Sequence, residues 1–173
     1  GIRDSSRGRH KDIFTNLTQA EVTNTDGVQK FLKGGIEIED LLGLNKSGSS
    51  IVSWNWVANG GTEVANTDGS GATYASTIQA NQTAGFSIVR FTPGSSSGKA
   101  PEWIMMKDLS RSVLWLVYHK SVGADKYLRM DNADAAATNS TVYSTVPTAS
   151  VFDPGTGYTS GSSYGSTIAY CWH

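Results

Sequence analysis

Two apolar runs, Trp103-Ile104-Met105-Met106 and Val113-Leu114-Trp115-Leu116-Val117-Tyr118, stand on either side of a mostly polar break, Asp108-Leu109-Ser110-Arg111-Ser112. Runs of this length and composition predict two antiparallel strands joined by a hairpin loop. Pro101 limits the first of them, because proline cannot donate to a ladder and belongs at a strand's start. Nowhere else is the chain as apolar for as long, so residues 98–126 are read as its organising stretch. Period-two alternation marks further strands. In residues 51–57, Val52, Trp54 and Trp56 fall on one face and Ser53 and Asn55 on the other; Ile168, Tyr170 and Trp172 share a face near the C-terminus. Gly85 to Phe91 carries the same strand pattern, Tyr127 to Met130 alternates, and Val28 to Leu32 and Ile36 to Ile38 read as short strands split by Gly34-Gly35.

The connecting segments are polar. Asn24-Thr25-Asp26-Gly27 is a strong turn signal, since Asp-Gly supplies the positive φ that tight hairpins need. Thr18-Gln19-Ala20-Glu21 has the spacing of a capped helical turn, and residues 132–137 allow another. Residues 58–84 hold only Val64, Tyr74 and Ile78 as large apolar side chains and read as a linker with a short strand near Tyr74 to Ile78.

An internal repeat orders these pieces. One constant offset carries Gly8, Lys11 and Ile13 onto Gly123, Lys126 and Leu128, Ala20 onto Ala135, Thr23-Asn24 onto Thr138-Asn139, and Ile36 onto Val151. One inserted residue later, Val52, Trp54 and Trp56 fall on Ile168, Tyr170 and Trp172. Agreement of order, spacing and face, with the shift confined to a loop, is the mark of a repeat. The second copy has a front half, residues 85–118, that the first copy lacks before Gly1. The expected organisation is therefore the back half of a first repeat at 1–58, the linker at 59–84 and a full second repeat at 85–173. The expected fold is an all-β antiparallel sandwich with long Gly-, Ser- and Thr-rich loops.

Composition narrows the class. The chain has 173 residues, enough to bury a core, and its net charge of -1 offers no pull toward nucleic acid or an anionic membrane. Charged residues make up 17%, against a usual ~25%, with Gly, Ser, Thr, Asn and Ala in their place, as in turn-rich β proteins of large assemblies. Cys171 is the single cysteine, which excludes an intrachain disulfide. No run of about 18 apolar residues reads as a membrane span.

The motifs Gly-Phe-Ser-Ile-Val at 85–89, Gly-Lys-Ala-Pro at 98–101, Trp-Ile-Met-Met-Lys at 103–107, Tyr-His at 118–119, Gly-Ala-Asp-Lys-Tyr-Leu-Arg at 123–129 and Ile-Ala-Tyr-Cys-Trp at 168–172 resemble a β-rich domain that recurs in virion proteins of marine tailed bacteriophages. The resemblance covers nearly the whole chain. It departs at Gly94-Ser95-Ser96-Ser97-Gly98, where the family usually has Gly-His-Gly-Leu-Gly, so no role of that histidine carries over. What it implies is a virion surface component, made in the bacterial host's cytoplasm.

Candidate chemistry is sparse. A serine nucleophile would need His10, His119 or His173 oriented by a carboxylate, and the sequence places no Gly-x-Ser-x-Gly elbow on a strand-to-helix turn. His119 sits at a strand end, where a hydrogen-bonded structural histidine is the plainer reading; it is kept as a ligand-binding candidate. Glu102 adjoins Trp103 as in a sugar cleft, but glycoside cleavage needs a second carboxylate facing it. Asp125, Asp131 and Asp134 cluster without the glycine and glutamate of an EF-hand loop, and one cysteine with three histidines makes no zinc site. The basic run Arg3, Arg7, Arg9, His10, Lys11 lacks interleaved aromatics for stacking bases and reads as a solvated loop.

Aromatics remain. The five tryptophans all lie on expected strands, where burial is the ordinary outcome. Tyr158 and Tyr164, in the Gly/Ser-rich loop 155–165, are candidates for a recognition surface, because tyrosine among Gly and Ser is what adaptable binding loops use. Val52, Trp54 and Trp56 are candidates for an assembly interface. The expectation is thus a non-enzymatic structural protein of a phage virion surface, a tail-fibre or capsid-decoration component. It would form homo-oligomers or join other phage structural proteins, without cofactor, metal, nucleic acid or membrane insertion. The alternative is a receptor-binding module that presents loops to a bacterial surface glycan.

Overall fold

A computed structural model describes residues 1–39, 45–48, 50–65, 76–91, 101–148, 152–159 and 165–173, with backbone only at 158 and 159. The described chain is all-β and antiparallel. Its strands are β1 (Lys11–Asp12), β2 (Val22–Thr23), β3 (Val28–Leu32), β4 (Gly35–Ile38), β5 (Val64–Ala65), β6 (Ser76–Asn81), β7 (Phe86–Phe91), β8 (Trp103–Asp108), β9 (Leu116–His119), β10 (Lys126–Tyr127), β11 (Ala137–Thr138) and β12 (Thr167–Trp172). A single helical turn, α1 (Thr156–Thr159), interrupts them. Six strands form one sheet in the order β5-β6-β7-β12-β8-β9, and β1-β2, β3-β4 and β10-β11 form two-stranded ladders.

The organising hairpin is present: β8 pairs with β9 from Trp103↔His119 to Met106↔Leu116. Its loop is longer than the polar break alone, because Val113, Leu114 and Trp115 lie in the connection. β12 pairs along its whole length with both β7 and β8, antiparallel to each. It is an interior strand covered on both faces, which is why its run Ile168-Ala169-Tyr170-Cys171 is buried throughout.

Both faces of the sheet are covered. On one face Val89, Phe91, Ile104, Met106, Leu116, Tyr118, Ala169 and Cys171 meet Val142, Tyr143 and Phe152. On the other, Phe86, Ile88, Met105, Val117, Ile168 and Tyr170 meet Trp115 and Ile13, with Ile2, Leu128 and Met130 at the margin. The second layer on each side is made of loops and two-residue ladders.

From residues 2–26 to 117–141 the repeat is visible as geometry; beyond them the copies part, since β3 and β4 have no strand counterparts among the described residues of the second copy. Lys11↔Thr23 and Asp12↔Val22 pair in the first copy, and Lys126↔Thr138 and Tyr127↔Ala137 in the second. The same offset carries the bridge Ile2↔Ile13 onto Val117↔Leu128. It also carries the hydrogen bond from Asn24 N to His10 O (2.8 Å) onto that from Asn139 N to Asp125 O (2.7 Å). Asn24 Oδ1 accepts from Asp26 N as Asn139 Oδ1 accepts from Thr141 N, and Gly8 and Gly123 both take positive φ, 94° and 85°. The first copy's opening segment lies against the second copy's sheet: Trp115 Nε1 donates to Phe14 O (2.9 Å) and Glu21 N to Leu109 O (2.9 Å).

Four local expectations change. Residues 51–57 form no strand and no ladder, and Val52, Trp54 and Trp56 stand exposed. Alternation makes a segment competent for a sheet, but a ladder needs a neighbouring strand. The stretch read as a linker supplies β5 and β6, with the six-residue β6 paired to β7 from Ser76↔Phe91 to Asn81↔Phe86. Neither Thr18-Glu21 nor 132–137 is helical; Ala137–Thr138 is the second copy's β11. The Val151 equivalence falls outside the described residues.

Candidate functional site: an aromatic row at one end of the sheet

Register assembles the most distinctive surface. β7 and β8 each begin with an aromatic residue, β12 ends with one, and β12 runs antiparallel to both, so the three termini come level. Phe86↔Trp172, Trp172↔Trp103 and Trp103↔His119 are direct cross-strand partners, and partners across a ladder share a face. The result is a row Phe86-Trp172-Trp103-His119 across four strands. Trp103 and Trp172 are stacked, with centroids 4.7 Å apart and planes at 24°, and Phe86 lies 5.1 Å from Trp172.

Trp56 closes the row from outside the sheet. Its ring meets Trp172 edge-on at 5.5 Å and Phe86 at 6.2 Å. Asn81 Nδ2, next along from Phe86, donates to Val57 O (3.1 Å) and fastens the segment there. Pairs of this kind contribute about 0.5–1.5 kcal/mol each beyond their buried area. Even so, Trp56 keeps 54% exposure and Trp103 38%, and the adjoining Trp54 and Val52 reach 78% and 74%. The end of the sheet is therefore an aromatic ledge with an apolar strip beside it.

Polar groups frame the ledge. Glu102 N donates to Trp172 O (2.7 Å) and Lys120 N to Glu102 O (2.8 Å), which closes the hairpin end; Lys120 and Glu102 also pair through their exposed side chains. His119 is exposed, and its Nδ1 accepts from Ser121 N (3.2 Å). The structure thus brings His119, Trp56 and Trp103 to one end of the sheet, with Val52 and Trp54 nearby in sequence but without ring contacts to the row. Tyr164 and the Tyr158 side chain lie outside the described residues.

The first-copy seam holds a second constellation. Tyr170 Oη donates to Asp4 Oδ2 (2.6 Å), and the same carboxylate accepts from Arg7 Nε (2.5 Å) and from Arg7 N (3.0 Å). Arg7 further reaches Glu21 (3.3 Å) and Ile2 O (2.9 Å). Burial pushes the Tyr170 hydroxyl pKa well up, so it stays protonated and acts as a fixed donor. A depression of about 320 Å³ opens beside this seam, and its charges are committed: Lys11 to Glu21, and Arg90 to Glu63 and Ser6 O. Lys107 is fully buried on the same face. Its Nζ donates to Asp108 O (2.7 Å) and Arg111 O (2.9 Å), and burial brings its pKa down to about 8. Asp108 closes the loop by accepting from Ser110 and Arg111. These groups clamp segments together.

The acidic cluster divides among local partners: Asp131 pairs with Arg129, and Asp134 Oδ2 accepts from Asn132 Nδ2 (2.5 Å). Among the described residues no three His, Cys, Asp or Glu side chains gather as metal ligands.

A family model described as Domain of unknown function (DUF7483) matches residues 1–173. The chain belongs to the DUF7483 family. None of the curated proteins and none of the solved structures matches it. For this DUF7483 chain, the aromatic row was missed in sequence because register between strands far apart in the chain creates it. The available signal was the placement of Phe86, Trp103 and Trp172 at the ends of their apolar runs.

Proposed function

We propose that the DUF7483 chain is a non-enzymatic structural domain of a phage virion surface, a tail-fibre or capsid-decoration component. It assembles with copies of itself or with other phage structural proteins through the apolar strip at Val52 and Trp54 and the aromatic ledge beside it. The observation that carries this reading is the exposure of Val52, Trp54 and Trp56 on one unpaired segment. Burying such side chains is worth about 1.5–3 kcal/mol each, so a surface that covers all three gains several kcal/mol. Single exposed apolar residues are ordinary; three on one segment beside an aromatic cluster are the composition of an interface core. Placement on a virion rests on the resemblance of the motifs at 85–89, 98–107, 118–129 and 168–172.

The experiment is the mass of the isolated chain across a concentration series, with Val52→Asp/Trp54→Asp as the comparison. Association by the native chain and its loss in the double variant is expected; a monomer at every concentration counts against self-assembly and shifts the reading to a foreign structural partner. Localisation of the chain in an intact-particle reconstruction tests the virion assignment.

A second reading draws on the stacked Trp103 and Trp172. An exposed ring flanked by Glu102, Lys120 and His119 is the chemistry of a sugar platform, which supports adhesion to a bacterial surface glycan. Glycan binding lost in Trp103→Ala with the fold intact would favour it.

A further inference from the structure

We propose that residues 51–56 are a sheet strand whose place is between two others, and that its partner is a strand pair with the β7–β8 pattern. The proposal rests on the reading of this segment as an assembly surface and names what that surface accepts.

The argument begins with the equivalence of the two copies. Ladders, bridge, turn bonds and positive-φ glycines recur at a fixed offset from residues 2–26 to 117–141. After the one-residue loop insertion, Ile51 to Trp56 occupies the place of Thr167 to Trp172, with Val52, Trp54 and Trp56 standing for Ile168, Tyr170 and Trp172. In the second copy that strand, β12, bonds along its full length to β7 on one edge and β8 on the other. Residues 51–56 carry the same alternation and have no ladder partner on either edge among the described residues.

A second observation concerns the elements that face β12. In the second copy, Val142, Tyr143 and Phe152 close one face of the six-stranded sheet. Their region in the first copy is the β3–β4 hairpin; there Val28, which stands for Tyr143, is buried, and exposed Phe31 stands for the likewise exposed Val146, so the positions whose burial differs between the copies are those of residues 51–56. A strand pair that took in residues 51–56 would supply ladder bonds to both edges. A second copy of this chain is the weaker occupant, because its own β7–β8 gap is filled by β12.

The register of the repeat dictates the test. Residue 115 is followed in the second copy by the position equivalent to Gly1, so residues 76–115 can be fused directly before Gly1 of the full 173-residue chain. Hydrogen exchange is then read by mass spectrometry on peptides covering 50–57 and 167–172. In the chain alone, amides of 51–56 should exchange at the rate of an unpaired segment. In the fusion they should slow at least tenfold, while 167–172 stays protected. Adding Val52→Asp and Trp54→Asp to the fusion should return 51–56 to fast exchange.

Unchanged exchange of 51–56 in the fusion overturns the proposal. So does a fusion in which 167–172 loses protection, because a front half seated on 51–56 has no cause to displace β12. A dimer of the 173-residue chain with 51–56 protected and 167–172 exposed overturns it in favour of strand exchange between copies. Failure of this inference leaves the assembly reading testable by itself: association of the native chain that is lost in Val52→Asp/Trp54→Asp stands whether or not the fusion protects the strand.

Discussion

Removing the Tyr170 hydroxyl, as Tyr170→Phe, tests how the first copy is held to the sheet. The hydroxyl donates across 2.6 Å to Asp4 Oδ2 in a buried setting, where Asp4 is 6% exposed. A hydrogen bond to a charged group is worth about 1.5–3 kcal/mol. Asp4 keeps its two bonds from Arg7, so Tyr170→Phe should fall toward the lower end of that range. Asp4→Ala should cost more, about 3–5 kcal/mol: it takes from the Arg7 guanidinium its closest counter-charge and leaves it Glu21, Ile2 O and the Tyr170 hydroxyl, in a side chain almost without solvent contact. The double variant should cost less than the sum, with a coupling of about 0.5–3 kcal/mol, because the two residues share one bond. Urea unfolding followed by tryptophan fluorescence measures all three, with the slope checked for constancy. A Tyr170→Phe variant within about 0.5 kcal/mol of the native chain, or an Asp4→Ala variant no worse than Tyr170→Phe, would refute the reasoning.

Further predictions concern pH, packing and surface. Lys107, held at about 8 by burial against an ordinary 10.5, loses its proton in the folded chain before the unfolded chain does, so stability should rise with pH from about 8, by up to ~1.4 kcal/mol per unit. Cys171, pushed by burial to about 12 from an ordinary 9.0, acts in the opposite sense from pH 9 upward. The climb should therefore level off near pH 9 and extend further in Cys171→Ala; urea midpoints at half-unit steps check this, and a fall in stability between pH 8 and 9 would contradict it. Gly155→Ala should destabilise far more than Gly8→Ala although φ is positive at both, since a Cβ at 155 would sit 2.2 Å from Thr141 O and one at 8 meets nothing within 4 Å; thermal melts of the pair decide. Trp115→Ala should cost about 3–5 kcal/mol, because the ring is fully buried and its Nε1 holds Phe14 O. Trp54→Ala should leave the monomer's melting temperature within error, as expected of a ring at 78% exposure.

The sheet was legible wherever the signal was local. Wide apolar side chains in short runs marked β7, β8, β9 and β12, and the fixed offset between Lys11 and Lys126 marked two like segments, in which the structure holds ladders at equivalent positions. β6 was mostly hidden, because Ser76-Thr77-Ile78-Gln79-Ala80-Asn81 is polar at several positions. Gln79 is buried by bonding to Ser5, Ser6 and Gly61, partners that composition does not reveal. The segment 51–57 misled in the other direction: its alternation describes what it could pair with, while pairing depends on a neighbour elsewhere in the chain or outside it. The same dependence on long-range register concealed the aromatic row, although each of its residues stands at the end of a recognisable run. The four-residue α1 has no capping or periodic signal to announce it.

The position of β12 also bears on how the chain is made. β7 and β8 are synthesised before β12 and lie one strand apart, so neither has the ladder of its inner edge until Thr167–Trp172 arrives between them. During synthesis the nascent chain therefore carries two open strand edges, with Val89, Ile104 and Met106 lacking their final cover. Closure across so long a loop is slow by topology, and open apolar edges invite strands from neighbouring chains in the meantime. Until β12 has left the ribosome, those two edges are where half-built sheets of neighbouring chains would join.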